Sequence, residues 1–189
     1  MLKKLVTLTF LISINLFSIN YELSKSTDDF NSALSYPMDN YNLRLDRGNS
    51  LLDQTHKITV STSFNLFKKL EVAPSYRIES GFPYNVTTGY DNNRDSVFND
   101  RPSGFSRNSE RGEFLKQVDV RLQWRFPLRY LGFKTADQTR ALRMNLNILN
   151  LLNTSNLRNY VGVETSPYFR QATYANPSRS IRFGLFLNF

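Results

Sequence analysis

The sequence has no cysteine, so no disulfide staples the fold and no thiol serves as nucleophile or metal ligand. A single histidine, His56, excludes a zinc site built on two imidazoles and reads as a polar loop residue. No apolar run reaches the ~20 residues that a membrane-spanning helix requires. The basic residues behind the formal charge of +8 are dispersed rather than gathered into one patch, so no nucleic-acid partner is expected. Carboxylate pairs such as Asp28 and Asp29 lie in polar stretches without a hydrophobic pocket to split their pKa values. No catalytic constellation emerges. The chain does not read as an enzyme, and nothing in it asks for a cofactor or a metal.

What the chain does have is aromatic residues, 15 Phe and 10 Tyr, in a composition only 40% hydrophobic. That balance fits a lipid-facing barrel with aromatic girdles, and equally a soluble β-sandwich. The clearest stretch is Ser180–Phe189. Its odd positions read Ile181, Phe183, Leu185, Leu187 and Phe189, against Arg182, Gly184, Phe186 and Asn188. Successive strand side chains point to opposite faces, so one face here is apolar throughout.

The same period recurs upstream. Ile58, Val60, Thr62, Phe64 and Leu66 form one row, and Leu70, Val72, Pro74, Tyr76 and Ile78 another. Only Phe67, Lys68 and Lys69 separate the two, which reads as a hairpin, with Pro74 marking a bulge or an imperfect ladder. Val118, Val120, Leu122, Trp124 and Phe126 form a third row; Leu142, Met144, Leu146 and Ile148 form a fourth. Met1–Phe17 fits two readings. The basic start and apolar stretch resemble a secretory signal. The alternation from Val6 through Leu16, shifting phase at Phe17, Ile19, Tyr21 and Leu23, favours a first strand carrying a bulge.

Between the strands lie three long polar segments, Ser24–Thr55 (with Tyr41–Leu45 extending a strand), Gly81–Phe114 and Asn150–Pro177, and two shorter connections. Their alternation puts the long loops at one end. The polar rows carry Glu71, Arg77, Glu79, Asp119, Arg121, Arg125, Arg143 and Arg182, too many charges for a dry interior. The expectation is an all-β, antiparallel transmembrane barrel segment of about six strands, with long extracellular loops and short periplasmic turns. Closed single-chain barrels begin at about eight strands, so this one needs completion.

The motifs Ser80–Gly89, Asp91–Asp95, Asn99–Pro102, Arg107–Asn108 and Arg111–Gly112 resemble the C-terminal barrel region of TonB-dependent outer-membrane receptors, specifically the Oar-like group. Tyr21–Ser26, Arg47–Asn49 near Asp53 and His56, Leu149–Thr154, Ser166–Phe169 and Ser180–Phe189 extend the likeness over nearly everything after Phe17. The resemblance implies a location in the cell outer membrane and a role in substrate uptake, with residues 1–189 as the barrel's C-terminal part. It implies lipid, the barrel-assembly machinery and an unidentified transported substrate as partners. The plug domain and remaining strands are then expected from elsewhere, as in a truncated or split receptor. Phe183, Leu185, Leu187 and Phe189 would form the terminal signal read during assembly. A soluble or surface β-sheet binding module and a small self-contained porin-like barrel are the alternatives.

One weaker motif remains. Asp91, Asn93 and Asp95, with Asn99 and Asp100, space oxygens as a calcium loop does, but Ser96 replaces the turn glycine and no Glu closes it. An Asx-rich turn is the favoured reading.

Overall fold

The structure, a computed structural model, describes residues 12–32, 34–66, 69–128 and 141–188. The alternating segments become strands, since only an extended backbone separates an apolar row from a charged one at every second residue. Twelve strands follow in order: β1 (Ile12–Leu23), β2 (Thr27–Asp28), β3 (Gly48–Asn49), β4 (His56–Leu66), β5 (Leu70–Glu79), β6 (Pro83–Tyr84), β7 (Glu110–Arg111), β8 (Leu115–Pro127), β9 (Ala141–Leu149), β10 (Leu157–Tyr160), β11 (Ala172–Ala175) and β12 (Ser180–Asn188).

The six long strands make one antiparallel sheet in the order β1-β4-β5-β8-β9-β12, each beside the next long strand in sequence. Such a meander sends successive connections to opposite ends. Segments 24–55, 80–114 and 150–179 therefore share one end, and the strand ends at Leu66, Leu70, Pro127 and Ala141 share the other. The loops hold further strands, but these pair only among themselves, as β2–β3, β6–β7 and β10–β11. Among the described residues β1 and β12 are open edges, and the sheet does not close into a barrel.

Register keeps the rows intact across strands. Val72, Leu122, Leu146 and Phe183 lie in line, as do Leu70, Trp124, Met144 and Leu185. The β1–β4 register shifts between Ile14 and Leu16, a bulge that returns Phe17, Ile19 and Tyr21 to the apolar row. Leu16 consequently sits opposite Ser63 in the polar row, one residue earlier than the sequence pattern places the change. Two adjacent large apolar residues conceal which of them follows the extra position. At Pro74 the β4–β5 ladder runs from Lys57 to Ser61 and resumes at Phe64, skipping Thr62 and Ser63 without a register shift. Strand extension at Tyr41–Leu45 is not what forms: Leu43–Asp46 is a 3-10 turn. Asp39 starts it, accepting the Tyr41 amide (2.8 Å). Arg101 (3.0 Å) and the Met38 amide (2.9 Å) then draw Asp46 inward, away from an extended path.

Among the described residues no second layer covers the sheet. The largest fully buried side chains, Val86, Asn108 and Asp53, belong instead to the long loops. Those loops interlock into a cap. Thr87 forms a parallel bridge with Val163, Tyr84 stacks on Tyr160 at 5.4 Å, and Arg158 lies over the Phe82 ring at 4.1 Å. Gly162 permits this approach, because a Cβ there would collide with the Asn85 carbonyl. Gly162→Ala should cost about 1–3 kcal/mol, as overpacking typically does. Limited proteolysis should then show earlier cleavage within 150–179 while the sheet stays resistant.

Candidate functional site

The polar side of the sheet is concave. It encloses a cavity of about 610 Å³ whose lining includes Ser61, Ser63, Ser75, Arg77, Arg121 and Arg182, together with the displaced Leu16. Strand register explains the concentration of cations. Arg121 on β8, Asn147 on β9 and Arg182 on β12 occupy one row; two rows lower, Arg125 faces Arg143 directly. Among the described residues, Arg121, Arg143 and Arg182 make no ion pair or hydrogen bond through their side chains, and the Arg143 Nε is buried without a partner. Acidic neighbours are few. Asp119 is committed to Gln117 (2.8 and 3.0 Å) and the Asn150 amide (2.8 Å), Glu79 lies 3.8 Å from Arg77, and Glu71 stands on β5 opposite Gln123. Like charges across strands cost stability, so this face is held against its own repulsion.

The other side carries the apolar rows. Its upper margin is polar-aromatic: the Tyr21 hydroxyl meets His56 Nδ1 at 2.9 Å with the rings stacked. His56 is thus the first residue of β4 rather than a loop residue. At the lower margin Trp124 and Phe126 stack at 4.7 Å. The terminal row is open to the surroundings, with Phe183 60% and Leu187 46% exposed, and Leu185 between them. Phe189, the last residue of the expected assembly signal, lies outside the described residues.

Above the sheet, three arginines tie the first two long loops together. Arg107, itself buried, donates to the Asp28 carboxylate (2.6 Å), to the Asp28 and Asp46 carbonyls (2.7 and 3.1 Å) and to Asn31. Arg101 holds Asp46 and the Leu45 carbonyl. Arg111 pairs with Asp53, which is 1% exposed and also accepts from the Ser26 amide (2.6 Å) and the Thr55 hydroxyl (3.0 Å). Burial pushes the Asp53 carboxyl up, but hydrogen bonds from Arg111, Ser26 and Thr55 and the Arg111 charge outweigh it, leaving it below its usual 3.8. None of these pairings was evident from sequence, where the same arginines were visible only as fragments of a motif.

The calcium-like spacing has another use. Asp91 accepts the Asp95 and Ser96 amides (3.1 and 2.9 Å), Asp95 accepts Val97 (2.8 Å), and Asp100 accepts Asn92 (2.6 Å). These oxygens face the loop's own backbone in Asx turns, and among the described residues no three acidic or histidine side chains converge on a metal position.

The depressed Asp53 carboxyl gives the cap a pH dependence. Its native form titrates below the unfolded value, so the stabilisation is complete above pH 3.8 and is lost as pH falls through the lower native value. Hydrogen exchange at 24–55, corrected for intrinsic rates, should accelerate over that acid range. Asp53→Asn should already open the cap at neutral pH by about 1–3 kcal/mol and flatten the acid response. Compared with protein families, curated proteins and solved structures, the chain matches none.

Proposed function

We propose that this chain is part of the wall of an outer-membrane β-barrel of the TonB-dependent receptor type, with its apolar face in lipid and its charged face toward an aqueous passage. The observation that carries this reading is the uncovered apolar face. Monomers in water rarely leave apolar patches beyond a few hundred Å² open. Six strands spaced about 4.8 Å apart, with rows about 27 Å long, make a face of about 800 Å², beyond that limit.

Its dimensions suit a bilayer. On β8 the apolar row runs from Lys116, level with Tyr21, to Phe126, ten residues and about 33 Å along the strand, which a strand tilt of about 40° reduces to about 25 Å of height. The lipid-facing band of such barrels is about 25 Å tall with aromatic margins. Tyr21 and His56 form one margin here, Trp124 and Phe126 the other. Hydrocarbon does not tolerate open sheet edges, so β1 and β12 require further strands as partners, with a plug in a complete receptor. The long loops then lie outside the cell, where they would meet the transported substrate, and the terminal row ending at Phe189 is presented to the assembly machinery.

Two measurements test the reading. Leu122→Arg places a charge on the lipid side, at about 2–4 kcal/mol near the midplane, and should reduce membrane-inserted yield sharply. Gln123→Arg, beside Arg121 and Arg125 on the wet face, should be mild; equal losses would refute the assignment of faces. Cysteines introduced at Asp91 and Asn159 should react with an impermeant thiol reagent on intact cells, whereas Lys69→Cys should not. Labelling confined to the Lys69 position would invert the topology.

A further inference from the structure

We infer that the arginine-bearing part of the concave face is a binding site for a solute with two or more anionic groups, carboxylate or phosphate. The inference rests on the barrel-wall reading only for where the solute comes from. The site itself follows from register. Arg121 and Arg182 flank Asn147 two strand spacings apart, about 10 Å between backbones, near enough for both guanidinium groups to close on one ligand. The Arg125–Arg143 pair lies two rows, about 13 Å, further down the same strands. Between the two levels stand Gln123, Asn145 and Gly184. The Phe186 ring lies over Gly184, which has no side chain of its own, and the Asn145 Oδ1 in the same row is buried without a hydrogen-bond partner.

Each of these features is a cost in the unliganded sheet. Arg121 and Arg182 make no ion pair among the described residues, Arg143 buries an unsatisfied N–H and Asn145 an unsatisfied amide oxygen. A multivalent anion reverses the sign of all of them, because planar guanidinium forks bind carboxylate and phosphate oxygens in pairs. Glu71, on β5 beside β8 and diagonal to Arg121, supplies an opposing charge that limits affinity and biases the anion toward the β9–β12 side.

The test is calorimetric titration of the full chain, folded in detergent, with pyrophosphate and with citrate at physiological ionic strength. Saturable binding is expected for one or both, and the stronger of the two identifies the preferred group. Arg121→Gln and Arg182→Gln should each weaken it at least tenfold without lowering the unfolding temperature, since removing a like-charge neighbour does not destabilise the sheet. Glu71→Gln should tighten it, and Lys25→Gln, the same loss of charge in a loop, should leave it unchanged. No saturable binding, or an equal loss with Lys25→Gln, overturns the inference. A chain that binds the anion yet stays dispersed without detergent would keep this site and overturn the barrel-wall reading instead. A detergent-requiring chain that binds neither anion would do the reverse.

Discussion

A β-strand hands its side chains to two faces in strict turn, and in this protein the two faces want different solvents. One row on every long strand is apolar, the other charged or amide-bearing, and register keeps these rows continuous from β1 to β12. Among the described residues no helix or second sheet rests on the apolar side. The remaining architecture answers to that constraint: the charged face lines an open cavity, tyrosine and tryptophan mark the margins, and the bulge in β1 restores the alternation after an odd residue.

Since the sheet buries little, cohesion is concentrated where the loops meet. Arg101, Arg107 and Arg111 each reach from the second long loop into the first, and each finds a carboxylate together with backbone carbonyls. Buried charges are tolerable only when paired and hydrogen-bonded, and here most of the fork positions are used. The arginines of the concave face are the contrast. They share the residue type but not the burial: Arg121 and Arg182 are exposed and make no ion pair among the described residues. One set ties loops together; the other lines a cavity.

The strands were legible in the sequence because a period of two survives every substitution that keeps the row apolar. Row membership was legible too, except at Leu16, where two neighbouring apolar residues hid the extra position. The cap was not. Arg107 and Asp28 are 79 positions apart, and a chain with many arginines and many aspartates offers no local signal for choosing among partners. Tyr41–Leu45 has strand-like composition but turns into a 3-10 segment, because Asp39 makes a local Asx turn ahead of it and Arg101, 55 positions away, holds Asp46. His56 looked like a loop residue since its ring partner, Tyr21, belongs to a different strand.

The direction of the edge strands carries a consequence for completion. β1 runs toward the loop end and β12 runs away from it, so the two open edges point in opposite senses. A ring closed by antiparallel pairing alone must alternate direction all the way round. In the proposed barrel, the strands between these edges would begin antiparallel to β12 and finish antiparallel to β1. Parity alone would then restrict them to an even number.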